Sequence, residues 1–276
     1  GDEILHASAV DELIGQVHRV ALDCDPRIVK LFRRSFPKAQ VYATRRDEKH
    51  WLKPGDWTHQ IAAGDLFAHF RPSWQSCPGK SFLTPSEDYR VMYRALLDKK
   101  ANGKKKIGLC WSGGNYLTND RHRRITLEMM RGLIESHKDT CEFFSLEYNE
   151  SAHVEVEQSG LPVHHFRFIV GLGADYEHTT AFISELDGVV GIHTAAHHAA
   201  GATGVPSMIL VPENPSWLYQ TYQGDRWCLY PTARLFRRGP GERWDHVIDR
   251  MVKSAEWKQF HREIGEPAGH VGVAHG

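Results

Sequence analysis

The sequence has 276 residues, of which 41% are hydrophobic, and its 34 Lys and Arg residues balance its 34 Asp and Glu residues. This length accommodates two α/β domains, each with a hydrophobic core of its own. A formal net charge of zero gives no overall field to attract nucleic acid or an anionic membrane. The longest apolar runs have the length of strands rather than the roughly 20 residues of a membrane span. We therefore expect neither a nucleic-acid partner nor a membrane span.

The five cysteines are far apart in the sequence and form no Cys-x-x-Cys pair: Cys24, Cys77, Cys110, Cys141 and Cys228. Their odd number and wide spacing argue against both a disulfide framework and a zinc knuckle. We expect reduced thiols in a cytoplasmic protein. No signal segment opens the chain, which starts abruptly inside a helical pattern, and whether residues precede Gly1 stays open.

Helical and strand patterns alternate in the first hundred residues. They predict a helix from Asp2, a strand at 18–23, a helix at 26–36, a strand at 40–43 and a helix at 87–97. Residues 99–106 (KKANGKKK) then combine a charge run with an Asn-Gly turn signal. We interpret this run as a solvated linker rather than a phosphate site. It places the boundary between two lobes, at 1–103 and 104–276.

The same alternation continues in the second lobe. It predicts a strand at 107–111, a helix from Leu127 capped by Thr126, a strand at 141–146, a helix at 179–186, a strand at 188–192, a helix at 194–203 and a strand at 207–211. Strands that alternate with helices form parallel sheets with right-handed crossovers. We therefore predict an α/β fold with doubly wound lobes.

Residues 188–201 (GVVGIHTAAHHAAG) run from a strand directly into a helix whose first turn is Thr194, Ala195 and Ala196. Small side chains there let an anion approach the backbone N–H groups, and the Thr194 hydroxyl can add a hydrogen bond. The pattern predicts a diphosphate site. Tight packing of the helix on the sheet explains the small residues equally well.

Three histidines, His193, His197 and His198, crowd the same turn. Two of them are four positions apart on a helical face, as in some metal sites. No nearby acid or cysteine completes a ligand set, so we favour packing or hydrogen bonding and expect no metal.

A second loop with glycines follows the strand at 107–111. It contains Ser112 and Gly113, and an arginine-rich stretch after it ends at Arg124. Glycines after a parallel strand permit close approach of a ligand, and guanidinium groups bind phosphate oxygens in pairs. A tight turn is the alternative interpretation of the glycines.

Six short motifs follow one another through the second lobe. They are 108–113 (GLCWSG), 119–124 (NDRHRR), 145–147 (SLE), 175–187 (DYEHTTAFISELD), 192–206 (IHTAAHHAAGATGVP) and 227–237 (WCLYPTARLFR). In this order they resemble the ADP-heptose heptosyltransferase-like family. The resemblance is closer still to the C-terminal glycosyltransferase domain of bacterial tetratricopeptide-repeat proteins.

The resemblance implies a GT-B fold of two Rossmann-like doubly wound lobes and a metal-independent glycosyltransferase without a cofactor. The second lobe would bind a nucleotide-diphosphate sugar, and the first would bind the acceptor, a glycan, a lipid-linked group or a protein. The resemblance also implies upstream tetratricopeptide repeats in a bacterial protein, and C-terminal helices that pack back on the first lobe.

The resemblance also implies roles for single residues. The donor-binding residues would be Ser112, Gly113, Arg124, Glu147, His193, Thr194, Ala195, Ala196 and His198. The base that takes the proton of the acceptor hydroxyl would be Asp2, with Glu3 as the next carboxylate. A helix N-cap is an equally good interpretation of Asp2.

Three residues depart from the family pattern. His193 stands where the family has an aspartate, Glu147 where it has a glutamine, and Ala199 where it has a leucine. Loss of a carboxylate beside the sugar or the phosphate changes the local charge. A catalytically degenerate GT-B-like binding module and a nucleotide-sugar epimerase therefore remain open alternatives.

Overall fold

The computed structural model describes residues 1–45, 47–53, 55–113, 124–169, 175–220 and 225–263. The helices in these residues are α1 (Asp2–Ala7), α2 (Val10–Gln16), α3 (Val29–Ser35), α4 (Leu66–Phe70), α5 (Glu87–Ala101), α6 (Arg131–His137), α7 (Ala152–Ser159), α8 (Tyr176–Ser184), α9 (Ala195–Thr203), α10 (Trp217–Gln220), α11 (Trp244–Lys253) and α12 (Ala255–Glu263). The strands are β1 (Ala21–Asp23), β2 (Gln40–Tyr42), β3 (Lys105–Cys110), β4 (Cys141–Ser145), β5 (Val163–His164), β6 (Gly188–Ile192), β7 (Ser207–Val211), β8 (Arg226–Trp227) and β9 (Tyr230–Arg237).

Within the described residues, the strands form one sheet of seven and one of two. The larger sheet has the order β5-β4-β3-β6-β7-β9-β8, and all of its pairs are parallel except β8 with β9. From β3 the chain moves to β4 on one side, and from β6 it moves to β7 on the other. This is the doubly wound arrangement. The α/β fold predicted from the sequence is confirmed.

The first half of the chain builds less sheet than its pattern predicted. The strand expected at 18–23 is shortened to β1, which pairs in parallel with β2. The helix expected at 26–36 begins with a 3-10 turn (Pro26–Ile28), because Asp25 accepts a hydrogen bond from the N–H of Arg27 and caps that turn. Among the described residues, helices and loops therefore make up most of this half.

Side-chain caps fix where several helical segments begin. The hydroxyl of Thr126, the carboxylate of Asp175 and the hydroxyl of Thr194 each accept an N–H from the turn that follows. The cap at Thr126 is the one predicted. Asn102 and Gly204, both with positive φ, end α5 and α9.

The seven-stranded sheet is covered on both faces, and one of its clusters joins the two halves of the chain. In that cluster, side chains from α1 and α3 pack with side chains from β7, β8 and β9. Its members include Ile4, Leu5, Leu31, Phe32, Ile209, Val211, Trp227, Tyr230 and Leu235. Removal of apolar surface from water is the main favourable term in such a contact.

Ion pairs reinforce the same contact. Arg34 reaches across from α3 to the buried carboxylate of Glu177 in α8 at 2.5 Å. The N–H of Ser86 donates to the same Glu177 oxygen at 2.8 Å. A buried carboxylate needs such partners because the loss of hydration is costly.

The division predicted at residue 103 falls in the turn between α5 and β3 and remains a prediction. α5, before that turn, already packs on the second half, since Arg90 and Arg94 each bind Glu185 at 2.7 Å. The lysines interpreted as a solvated linker partly belong to β3. Lys106 is one of them, and its Nζ lies 2.9 Å from Asp98.

The C-terminal helices cover one face of the large sheet, and the expectation that they pack back on the first lobe stays a prediction. The apolar stripe of α11, which includes Trp244, Val247 and Met251, lies in one cluster with Ile107 and Phe143 of the sheet. Residues three or four apart lie on the same face of a helix, so these side chains form one apolar stripe. The stripe is buried against the apolar surface of α6 and the sheet.

Gly191 permits the close approach of β6 to β3. Its φ is 154°, and a Cβ would lie 1.8 Å from the carbonyl oxygen of Cys110. We predict that Gly191→Ala lowers the free energy of unfolding by about 2–5 kcal/mol, because backbone strain and overpacking each cost about 1–3 kcal/mol. Chemical denaturation measures the loss.

Gly132→Ala is the matched control. Gly132 is an exposed residue of α6, and nothing lies within 4 Å of an added Cβ there. This variant should gain about 0.5–1 kcal/mol from helix propensity. Equal stability changes in the two variants would contradict the close-approach explanation.

Candidate functional site

The two loops singled out in the sequence meet at the carboxyl ends of β3 and β6. Cys110 pairs with Gly191 in register, so the loop at Ser112 and the loop at Thr194 leave adjacent strands side by side. The chain diverges to opposite sides of the sheet after these two strands. That divergence makes the crevice in which doubly wound proteins bind their ligands.

Gly113 and Thr194 bring the two loops into contact. Gly113 has a φ of 150°, and a Cβ there would lie 2.9 Å from the Thr194 Cγ2. Glycine therefore allows both the backbone conformation and the close approach. Three of the predicted donor residues, Ser112, Gly113 and Thr194, lie together as expected.

The first turn of α9 begins at this contact. The Thr194 hydroxyl accepts a hydrogen bond from the N–H of Ala196 at 3.3 Å, and Thr194 and Ala195 are half-buried. The first N–H groups of an α-helix have no partners within the helix, and the helix dipole is positive at this end. The turn is chemically suited to an anion such as a diphosphate.

Glu147 supports the Ser112 loop. Its Oε1 accepts hydrogen bonds from the N–H groups of Trp111 at 2.6 Å and of Ser112 at 2.7 Å, and its Oε2 accepts the Ser112 hydroxyl. Glu147 is 1% exposed, and burial raises the pKa of its carboxyl although these hydrogen bonds act in the opposite direction. The carboxylate positions the loop, and its direct contact with a donor remains a prediction.

His197 lies beneath the crevice. Its ring is fully buried, and its Nε2 lies 3.1 Å from the carbonyl oxygen of Gly191 and 3.4 Å from the Cys110 Sγ. Burial lowers the pKa of His197 to about 4, so the ring is neutral at pH 7. This histidine is part of the core, as the packing interpretation predicted.

The two other histidines lie nearer the crevice. The His198 Nδ1 is 3.3 Å from the Tyr230 hydroxyl, and burial lowers the pKa of His198 well below its usual value. The ring of His193 lies 4.8 Å from the ring of Tyr219, measured between centroids. Both histidines were predicted donor residues, and both are largely buried.

The amino end of α1 meets the amino end of α9. A Cβ at Gly1 would lie 3.6 Å from the Ala195 Cα and 3.2 Å from the His198 Cδ2. Asp2 follows at once and is exposed. Gly1, the neighbour of the predicted base Asp2, therefore lies beside the predicted anion site, although 193 positions separate Asp2 from Ala195 in the sequence.

Glu3 has a different environment. Its carboxylate accepts the N–H of Asp25 at 2.9 Å and forms an ion pair with Arg45. Arg27 lies beside it, where its guanidinium binds both carboxylate oxygens of Asp25. Neither arginine belongs to a recognisable motif of the sequence, and only the fold brings them to α1.

Arg124 lies on a different side of the Ser112 loop. Its neighbour Ile125 donates its N–H to the carbonyl oxygen of Trp111 at 3.0 Å. The exposed Arg124 side chain lines a cavity of about 430 Å³. Ser151, just before α7, and Glu155 of α7 line the same cavity. The rest of its motif, residues 119–123, lies outside the described residues.

Two further features bear on the chemistry. No group of three or more His, Cys, Asp or Glu side chains arranged to bind a metal occurs in the part of the chain that the structure describes. In the same residues, every helix is too short or too polar to cross a bilayer.

Solved glycosyltransferases share this fold. The crystal structure of a family 9 glycosyl transferase from Veillonella parvula matches with a TM-score of 0.66 and 9% identity, over 94% of both chains. The ADP-heptose lipopolysaccharide heptosyltransferase II of E. coli matches with a TM-score of 0.57 and 14% identity, over 96% of this chain and 97% of its own. E. coli heptosyltransferase WaaC, solved with ADP, matches with a TM-score of 0.51 and 11% identity, over 94% and 95% of the two chains. The fold of this chain is GT-B.

Sequence comparison is less specific. The chain is 26% identical to Protein FlbA of Caulobacter vibrioides over 272 residues, which is 91% of this chain and 44% of FlbA. The chain thus spans less than half the length of that relative. No family model matches the sequence.

The buried His197 predicts a loss of stability in mild acid. An unfolded histidine takes up its proton near pH 6.5, whereas the folded ring stays neutral until about pH 4. Between these values the unfolded state binds more protons, so the free energy of unfolding falls as the pH falls. The difference between the unfolded and folded pKa values of His197 corresponds to about 3 kcal/mol in the free energy of unfolding. Urea titrations at pH 7 and at pH 4.5 measure it.

His197→Gln tests the assignment, since glutamine keeps a donor for Gly191 but does not titrate. Its stability should depend less on pH than that of the native protein. His59→Gln, at an exposed histidine, should keep the native pH dependence. If both variants keep it, another group is responsible.

Proposed function

We propose that this chain is a glycosyltransferase that transfers a sugar from a nucleotide-diphosphate sugar to an acceptor hydroxyl without a metal ion. The observation that carries the proposal is the meeting of three elements at one crevice. These are the loop at Ser112, the first turn of α9 and the amino end of α1. The GT-B fold and the solution of one neighbour with ADP support the same assignment.

The first turn of α9 would hold the leaving group. During transfer the sugar carbon gains positive character, and the diphosphate leaves with additional negative charge. N–H groups fixed at a helix terminus, with Thr194 and Gly113 shaping the space, stabilise that charge without reorganising. Arg124 would add a guanidinium from the far side of the Ser112 loop.

Asp2 would be the general base. Its carboxylate takes the proton of the acceptor hydroxyl, the acceptor oxygen bonds to the sugar carbon, and the bond from that carbon to the diphosphate oxygen breaks. Asp2 is exposed and follows Gly1, whose backbone lies beside Ala195, whereas the neighbouring Glu3 is bound by the Asp25 N–H and by Arg45. Of the two carboxylates, Asp2 is the better placed to accept a proton.

A binding module that has lost catalysis is the second candidate, and His193 is the observation that favours it. His193 replaces the family aspartate and packs near Tyr219. The two candidates differ in one measurement. A transferase consumes one nucleotide sugar of a panel in the presence of an acceptor, whereas a binding module binds the nucleotide and consumes none.

Thr194 provides the test of nucleotide binding. In a thermal-shift screen of ADP, UDP, GDP and CMP, we expect one nucleoside diphosphate to raise the melting temperature, since a ligand at many times its Kd stabilises the folded state. Thr194→Val should weaken binding of that nucleotide about tenfold or more, because a hydrogen bond to a charged group contributes about 1.5–3 kcal/mol. Thr194→Ser, which keeps the hydroxyl, should bind as the native protein does. Unchanged affinity in the valine variant by calorimetry would remove Thr194 from the site.

Asp2 provides the test of catalysis. Asp2→Asn should lower the transfer rate by about 10²–10⁴-fold, the usual contribution of a general base, with donor affinity unchanged. Asp11→Asn is the control, because Asp11 is also an exposed acid in the first turn of a short helix. Full activity of Asp2→Asn would reassign the base to Glu3.

A further inference from the structure

Two cysteines that are 151 positions apart in the sequence meet at the contact between the halves of the chain. The Sγ atoms of Cys77 and Cys228 are 3.1 Å apart, and both residues are partly exposed. A disulfide has an S–S bond of about 2.0 Å, so the sulfurs need to approach by only about 1 Å. Sequence spacing gave no sign of this pair.

The fold holds both cysteines in place while the thiols are reduced. Cys77 ends the turn Trp74–Ser76, and Cys228 lies in the turn between β8 and β9. Farther along the first segment, the N–H groups of Phe82 and Leu83 both donate to the carbonyl oxygen of Ala202 at 2.9 Å. The proximity of the two thiols therefore follows from the packing and needs no covalent bond.

Cys77 also has the environment of a reactive thiol. The hydrogen bond with Cys228 lowers the pKa of Cys77, and the nearby guanidinium of Arg71 acts in the same direction. Burial raises the pKa of the three other cysteines, to about 12 for Cys24. The thiolate is the form that reacts with oxidants, so oxidation should begin at Cys77.

We propose that Cys77 and Cys228 form a reversible disulfide when the protein meets a peroxide. The Cys77 thiolate attacks one oxygen of hydrogen peroxide, becomes a sulfenic acid and releases hydroxide, so the sulfur is oxidised and the peroxide reduced. The Cys228 sulfur then attacks the Cys77 sulfur, the S–S bond forms, and the sulfenic oxygen leaves as water. The sum is two thiols and one peroxide to one disulfide and two waters, and a dithiol reductant reverses it.

The bond would act on the helix at the candidate site. Trp227 and Tyr230 stand on either side of the Cys228 turn, and both rings contact the ring of His198 in α9. The disulfide would link the Cys228 turn to the segment of Phe82 and Leu83. That segment binds the carbonyl oxygen of Ala202 near the carboxyl end of α9. The oxidised protein should hold α9 more rigidly against the first half of the chain.

Peptide mapping of the native chain tests the proposal. The protein is treated with hydrogen peroxide or with dithiothreitol, free thiols are blocked with N-ethylmaleimide, and peptides are analysed without reduction. We expect a Cys77–Cys228 linked peptide after peroxide and its loss after dithiothreitol. Blocked thiols at both positions after peroxide, or links to other cysteines instead, would overturn the proposal. This readout does not depend on transferase activity.

Thermal unfolding supplies the second measurement. The peroxide-treated native protein should melt several degrees higher than the reduced protein, because the bond closes a long loop and restricts the unfolded chain. Cys77→Ser and Cys228→Ser should lose this shift, whereas Cys141→Ser should keep it. A shift that survives in both single variants would show that another modification causes it. If a variant does not fold, the peptide map of the native chain alone decides.

Discussion

The close approach of β3 and β6 at Gly191 is the constraint on which the candidate site depends. Any side chain at Gly191 would overlap the carbonyl oxygen of Cys110, and that approach sets the two strands in register where the sheet changes direction. The carbonyl of Gly191 also binds the buried His197 of α9. One backbone contact thus fixes both the spacing of the two loops and the angle at which the helix leaves the sheet. The anion site proposed at Thr194 depends on this contact.

The position of the first half of the chain relative to the crevice rests on a shared core rather than on a hinge. The two domains of a protein usually move relative to each other unless the contact between them is large and apolar. Here α1 and α3 bury apolar side chains against β7 and β9, and the Arg34–Glu177 pair lies beside them. Opening that contact would expose apolar surface and strip a buried carboxylate of its partner. The amino end of α1 is therefore held at α9, which supports the role proposed for Asp2.

Local sequence patterns predicted the second half of the fold well. Its strands are short and apolar, and several of its helical segments begin at capping side chains. β6 (Gly188–Ile192) and β7 (Ser207–Val211) have the bounds that the sequence predicted. The loops at Ser112 and Thr194 were found for the same reason, since strand order in a parallel sheet brings carboxyl ends together. What was missed depends on contacts between distant residues. The pairing of Cys77 with Cys228 is set by packing that no local spacing records.

His193 bears differently on the proposed nucleotide binding and on the proposed catalysis. A carboxylate near a diphosphate repels it. An aspartate at this position would therefore favour transfer only by acting on the sugar. A histidine at the same position removes that repulsion, and the N–H groups at the start of α9 do not depend on it. Nucleotide binding should therefore survive the departure from the family pattern even where transfer is slowed. The proposed base, Asp2, lies on another element, α1, so the change at His193 does not alter it. In the proposed transfer, the N–H groups of α9 and the Asp2 carboxylate would act together, and donor recognition would rest on backbone groups.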